Sequence, residues 1–439
     1  MFALSRPLAA ARRAAADPLT RGWAVVTVGS VARLGLGFVA SVLTARTLGV
    51  GDFGVYVSLG AMASIVGAVA DFGLTEAAVK RIAEVWNSDE GEAAERGRAF
   101  FWTRLGAAVV VVLASSLLIL AARTAGLTSV PPAIPVTLTL VGVVAAALSG
   151  AVSAILQATR RFGRLSAVML VNSGATALAA LVLARLGWLN LVTALVVLGS
   201  GASLLSFAVG RSLLPPGWTL APPASRLRDE AGRLVRFGRW LGIANSLAML
   251  AAYLDVLLVV QWSGAASGAF YGLALNLANK VDVVNQSLYA VSLPTAAGVV
   301  HGDHWSAYVR RSLRRSAVVG ALVLPLFWLA APFIGFFYGA AYLPSAGAFS
   351  LLLGVVIFDI FTLPLTLLAF PLNEPRLLAA ADAVRVLVLV AVGAWLIPIY
   401  GANGAALARL CARVVGAGLV LAVLAMRYRR GTLHLGSQR

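Results

Sequence analysis

The chain has 439 residues, 60% of them hydrophobic and 12% charged, with a mean hydropathy of +0.90. That is more apolar side chain than one water-soluble core can bury, so soluble enzymes and soluble binding modules are excluded and an integral membrane protein is expected. A formal charge of +18 would suit nucleic acid, yet no hydrophilic domain is present to carry such a site, and nucleic acid is excluded as a partner.

The apolar runs are about 20 residues long and show no two-residue alternation, which indicates an all-α bundle rather than a β-barrel. Residues 1–22, with Arg6, Arg12, Arg13 and Arg21, carry no cleavage site after a short apolar core and read as a cytoplasmic tail. Spanning windows follow at about 23–45, 56–78, 99–122, 133–156, 166–186, 190–210, 239–261, 268–297, 316–338, 345–371, 377–398 and 403–426, so twelve crossings are expected. The longest polar interruption, 214–238, has four prolines followed by Arg226, Arg228, Arg233 and Arg236. It is expected to be an amphipathic helix in the cytoplasmic interface, dividing a six-helix lobe at 23–213 from a second at 239–426, with a cytoplasmic tail at 427–439.

Of the 35 Lys and Arg, 26 fall on the side of the N-terminus, three (Arg46, Arg123, Arg185) on the other, and six within the windows. Short loops rich in these residues stay in the cytoplasm, so both termini are expected there. Cys411 is the sole cysteine and lies in an apolar run, so no disulfide framework or cysteine metal site is expected. His301, His304 and His434 fall in hydrophilic stretches and read as solvated loop residues. There is no phosphate-binding P-loop, nucleophile elbow or His/Glu metal motif. An enzyme, a resident cofactor and a self-sufficient ATP-driven pump are therefore not expected.

The chemistry lies in charges carried into the windows. Arg33, Arg104, Lys280, Arg385, Arg409 and Arg413 face Asp71, Glu76, Asp255, Asp282, Asp359 and Asp382. Each costs roughly 2.5–3.5 kcal/mol at mid-bilayer, so such residues turn to a bundle interior or a wet cavity. The six bases are candidates for holding an anionic substrate. Glu76 and Arg104 stand near the cytoplasmic interface, where snorkelling is expected, and Asp255 near the opposite one. Asp382 and Arg385, at i and i+3, read as a local ion pair. Arg409 and Arg413, at i and i+4, repel unless an anion sits against them; that anion is a ligand, or else Asp359 or Asp382. Asn276, Asn279, Asp282 and Gln286 recur at steps of three, three and four, a single helical stripe flanked by Lys280, and read as cavity lining. Tyr253, Asp255 and Asn245 extend that lining, and Asp71, Asp255, Asp282, Asp359 and Asp382 are candidates for H+ or Na+ coupling.

Three stretches carry a resemblance. The stretch "ARTLGVGDFGVY", 45–56, follows an Arg-containing helix and precedes one ending in Asp71-Phe72-Gly73. It is echoed at half the chain length by "AASGAFYGLALN", 265–276, with Phe53 against Phe270 at an offset of 217 residues. "WLIPIYGANGAALARL", 395–410, supplies the third. The chain resembles polysaccharide-export flippases of the Wzx/RfbX type, in the multidrug/oligosaccharidyl-lipid/polysaccharide exporter superfamily. That resemblance implies two pseudo-symmetric, MATE-like six-helix lobes around a central cleft. It also implies a cationic cavity and outward flipping of an undecaprenyl-pyrophosphate-linked oligosaccharide by alternating access, for a surface polysaccharide such as O-antigen. Implied partners are membrane lipids, glycosyltransferases and a glycan polymerase, around a monomer in a bacterial or archaeal cytoplasmic membrane. "SGAFYG" departs from the family's Gly-Tyr order, and the Lys280–Asp282 cluster is not carried over from it. Alternatives are a cation-coupled exporter of drugs or metabolites, disfavoured by six intramembrane bases, a membrane glycan polymerase or ligase, disfavoured by short outer loops, and a structural scaffold.

The charge asymmetry makes a direct test. In a Cys411→Ser background, an impermeant maleimide added to intact cells is expected to label Thr47→Cys but to reach Ser437→Cys only after permeabilisation.

Overall fold

The computed structural model describes residues 18–125, 132–286, 288–289, 292, 305–367 and 375–429. Most of the N-terminal tail, the C-terminal tail, His301, His304, His434 and the Arg376 side chain lie outside the described residues. Every regular element among the described residues is helical. In chain order these are α1 (Pro18–Asp71), α2 (Leu74–Trp86), α3 (Glu90–Thr124), α4 (Ala133–Ala158), α5 (Phe162–Arg185) and α6 (Leu191–Leu213). They continue with α7 (Ala224–Val281), α8 (Trp305–Val323), α9 (Pro325–Phe337), α10 (Ser345–Thr366) and α11 (Pro375–Arg429).

Local chemistry explains the ends. Asp89 caps α3 by accepting from the Glu92 N–H at 2.9 Å, while Asn190 and Thr193 cap α6 reciprocally at 2.9 and 3.0 Å. The middle of α6, Ala194–Gly201, is wound as a π-helix.

Nine helices among the described residues are long and apolar enough to cross a membrane. Three of these, Gly29–Asp71, Ala224–Gln286 and Ala380–Met426, are 43, 63 and 47 residues long, and each takes in two of the windows expected from the sequence. The difference from twelve has a physical cause: the chain passes from one window to the next without a loop, through a single non-helical glycine. These are Gly49 (φ 71°, ψ 175°), Gly264 (φ 83°, ψ 171°) and Gly401 (φ 54°, ψ −125°). A side chain at such φ is strained, which is why glycine stands there.

The chain divides into two compact units, the first of residues up to Leu48 with Ala63–Ser246, the second of Gly49–Met62 with residues from Leu247 on. The core of the first gathers Leu74, Ile82, Phe100, Phe101, Ile155 and Leu156. Within residues 214–238, Leu214, Trp218 and Leu234 enter that same core and Trp218 meets Trp86 edge-on at 6.0 Å. Bidentate pairing of Arg81 Nε and Nη2 with Glu230, at 2.7 and 3.0 Å, holds the start of α7 in place. From Ala224 to the break at Gly264, α7 shows no interruption.

Within the second unit, Gly49 and Gly264 share nearly the same φ and ψ at an offset of 215 residues. This register pairs Tyr56 with Tyr271 and replaces the Phe53–Phe270 alignment drawn from sequence. It also explains the packing. Gly54 lies against Ala269, its counterpart, and Val57 against Gly272, its counterpart. Counterpart meeting counterpart is what a local two-fold axis requires. Phe53, read from sequence with the turn, is 3% exposed and packs edge-on against Tyr342 at 5.8 Å.

A Cβ at Gly54 would collide with the backbone carbonyl of Ala265. Gly54→Val is therefore expected to destabilise by about 1–3 kcal/mol or more, read as a lowered Tm in detergent, whereas Gly51→Ala, where a Cβ meets nothing within 4 Å, leaves Tm within a few degrees.

Candidate functional site

In the first unit, α1 stops at Asp71 because Phe72 (φ 42°) and Gly73 (φ 72°) are both left-handed. The carbonyls of these two residues lie against Gly238 and Gly242 of α7, where no side chain fits. The turn places Asp71 where Thr75 Oγ1 donates to it at 2.5 Å. Arg104, from the middle of α3, donates to Asp71 and Thr75 and, through Nε, to the Ala147 carbonyl of α4 at 3.2 Å. Arg104 does not snorkel; its guanidinium joins four helices, and its side chain is 14% exposed. Glu76 is exposed and accepts from Asn245 Nδ2 at 3.1 Å, which draws Asn245 away from the lining expected of it. Arg33 is exposed and makes no ion pair among the described residues.

In the second unit the deepest charge is Asp255, with 0% exposure. Its carboxylate accepts from Tyr271 OH at 2.5 Å, Arg409 Nη1 at 2.6 Å and the Val256 N–H at 2.9 Å. Arg409 also donates to Tyr271 OH at 3.2 Å and to the Ala252 carbonyl at 3.1 Å. Asp255 is therefore a core residue of its unit. Arg413 stands 3.6 Å from Asp359, and Arg385 Nη1 donates to Asp382 at 2.8 Å, the i, i+3 pair anticipated from spacing. The Arg409–Arg413 repulsion is thus relieved from two sides, by Asp255 and by Asp359.

Along the stripe Asn276, Asn279, Asp282 and Gln286, Asp282 occupies a turn just after Val281, while the Asp282 N–H still donates to the Ala278 carbonyl at 2.9 Å and the Gln286 N–H to the Asp282 carbonyl at 3.3 Å. Asn276 and Asn279 are exposed, and Lys280 Nζ donates to Asn276 Oδ1 and to its carbonyl at 3.4 Å. Asp282 accepts from Asn285 Nδ2 at 2.7 Å. It joins Gln286 and Asn285, with Asp359, Asp382, Arg385 and Arg413, in lining a cavity of about 430 Å3. A neighbouring cavity of about 240 Å3 is lined by Arg385, Arg409, Arg413, Asp382 and a floor of Ala248, Ala251 and Ala252.

Sequence reasoning missed Tyr271, Thr75 and Asn285. Tyr271 sat in the "GAFYG" stretch, where only the register set by the glycine breaks reveals its equivalence to Tyr56. Asn285 stands at i+3 from Asp282 and extends the polar run that pointed to the helix. Thr75 shows no signal of its own.

Residues 19–299 match the family described as polysaccharide biosynthesis protein. No curated protein matches the chain. Among solved structures, the chain is similar to a lipid II flippase, MurJ, in an inward closed conformation, with 13% identity, 91% of this chain and 87% of that one covered, and a TM-score of 0.70. It is also similar to an inward-facing multidrug resistance MATE family transporter of the MOP superfamily, with 15% identity, coverage of 92% and 96%, and a TM-score of 0.66. A mutant of the Vibrio cholerae MATE transporter VcmN matches with 14% identity, coverage of 97% and 99%, and a TM-score of 0.56. At these identities the likeness is one of fold.

Removing one partner of the Asp255 pair leaves an uncompensated buried charge. Arg409→Met is expected to cost about 3–5 kcal/mol, while Arg409→Met combined with Asp255→Leu recovers most of it; Tm in detergent and size-exclusion behaviour report both.

Proposed function

The chain belongs to the polysaccharide biosynthesis protein family, and we propose on that premise that it flips a lipid-linked oligosaccharide across a cytoplasmic membrane. The observation that carries this reading is the uneven fate of the six intramembrane bases. Arg104, Arg385, Arg409 and Arg413 are each matched by a carboxylate. Arg33 and Lys280 make no ion pair among the described residues, and they are the bases left to meet an anionic headgroup. A pyrophosphate leaving the headgroup layer needs such compensation, since an uncompensated charge in hydrocarbon costs several kcal/mol. The likeness to a lipid II flippase supports a lipid-linked cargo.

In this reading twelve crossings arise because the three glycine-broken helices each cross twice. The bias of Lys and Arg to the side of the N-terminus puts both termini in the cytoplasm. Cargo moves outward, from the leaflet where glycosyltransferases finish it to the side where a polymerase uses it. Two negative charges moving outward through 100 mV, inside negative, gain roughly 4–5 kcal/mol, at about 2.3 kcal/mol per charge. That is a driving force needing no nucleotide, with H+ or Na+ coupling through Asp282 or Asp359 as an addition. A cation-coupled exporter is the second reading, favoured by Asp282, a carboxylate in the 430 Å3 cavity without a guanidinium partner among the described residues.

Reconstituted vesicles carrying a fluorescent polyprenyl-pyrophosphate glycan test the reading. Wild type is expected to expose the label on the far leaflet. Arg33→Ala and Lys280→Ala together should slow this at least about tenfold, since charged hydrogen bonds are worth about 1.5–3 kcal/mol each. Unchanged flipping in the double variant would overturn the assignment of these bases, and export of cationic dyes without glycan flipping would favour the second reading.

A further inference from the structure

We infer that the 430 Å3 cavity of the second unit is a sugar-binding subsite, separate from the bases that meet the phosphates; the inference rests on the proposed glycan cargo. The size is that of a small-molecule site, which runs from about 300 to 1,000 Å3, and far exceeds the space one desolvated ion or water fills. Its wall mixes planar polar groups with hydroxyls: Asp282, Asn285, Gln286, Tyr289, Thr362 and Arg413 all line it. Carboxylates, amides and guanidiniums present paired donors and acceptors that match the adjacent hydroxyls of a pyranose, and a tyrosine ring offers a flat apolar face to its C–H side.

Charge balance argues for a neutral polyhydroxylated ligand. Two of the three aspartates in the wall are already matched, Asp382 by Arg385 at 2.8 Å and Asp359 by Arg413 at 3.6 Å, which leaves Asp282 as the one unmatched charge and disfavours an anionic ligand. Among the described residues no group of three or more His, Cys, Asp or Glu side chains is arranged to hold a metal ion.

Unused hydrogen-bonding capacity points the same way. Arg413 reaches Asp359 only as an ion pair at 3.6 Å, beyond hydrogen-bond distance, and most of its donors have no partner among the described residues. Asn285 is 6% exposed and held in place by the Val356 carbonyl at 3.3 Å and by Asp282, so this part of the wall is fixed in position. Donors left over on a wet wall are completed by water or by a ligand, and a polyol hydroxyl accepts from a guanidinium and donates to a carboxylate.

The test uses the full-length purified protein in lipid nanodiscs with two separate probes: soluble monosaccharides (N-acetylglucosamine, glucose, galactose, mannose and rhamnose) and undecaprenyl pyrophosphate bearing no sugar. Quenching of intrinsic fluorescence and saturation-transfer NMR report binding. At least one sugar is expected to bind wild type and to bind Gln286→Ala with Thr362→Val about tenfold more weakly. These substitutions remove one exposed and one partly buried wall residue, and size-exclusion chromatography confirms folding. Asn285→Asp, which keeps the shape and alters the hydrogen-bonding set, should change which sugar is preferred. Binding of sugar-free undecaprenyl pyrophosphate is expected to be unaffected by these wall variants and to fall with Arg33→Ala and Lys280→Ala. If no sugar binds while undecaprenyl pyrophosphate does, the subsite is overturned and the flippase reading stands. If sugars bind wild type and the wall variants equally, the subsite is likewise overturned. If Na+ alone gives a saturable signal lost in Asp359→Asn and no sugar binds, the cavity is an ion site.

Discussion

A carboxylate with no solvent exposure inside an apolar helical bundle is tolerable only if its charge and its lone pairs are both answered, and the second unit is organised around that condition at Asp255. Tyr271, Arg409 and the Val256 N–H supply the answer from α7 itself and from α11. The contact fixes the register of α11 against α7, because Arg409 reaches Asp255 and the Ala252 carbonyl together. Once Arg409 is held there, Arg413 lies one turn further along the same face and Asp359 of α10 becomes its neighbour. Arg385 and Asp382 then complete a wall shared by two cavities.

The first unit solves the same problem differently. Its buried pair, Arg104 with Asp71, is placed by a backbone device, two successive left-handed residues that end a helix and turn its last carboxylate towards α3. Close passage of α7 over that turn requires Gly238 and Gly242. In both units glycine permits backbone-to-backbone approach, of α7 on the Phe72–Gly73 turn in the first and of α1 on α7 at Gly54 in the second, and such close packing lets a bundle in lipid obtain specificity without a hydrophobic driving force between its helices.

Pairing also sorts charges by role. Four of the intramembrane arginines are engaged with carboxylates and act first as fasteners, although Arg385 and Arg413 keep donors to spare. Arg33 and Lys280 are not engaged in this way. The proposed division between phosphate-meeting bases and a sugar-lining wall follows from that sorting, with the neutral part of the headgroup taken by a wall whose aspartates, Asp282 apart, are matched.

The amino-acid sequence by itself determined the class of solvent, the helical content, the glycine-marked turns and the identity of every charged residue that the bundle holds, because hydropathy and helical period are properties of neighbours along the chain. It also made the Asp382–Arg385 pair legible, since both ends sit on one turn. Which aspartate neutralises which arginine was decided only by tertiary structure: Asp255 and Arg409 are separated by 154 residues, and Asp71 and Arg104 by 33. Arg104 was expected to snorkel and Asp255 to sit near an interface, both from their distance to the end of an apolar window. Window position measures depth and says nothing of which face a side chain presents, and it is the face, set by where other helices cross, that determines whether a charge meets lipid, water or its opposite.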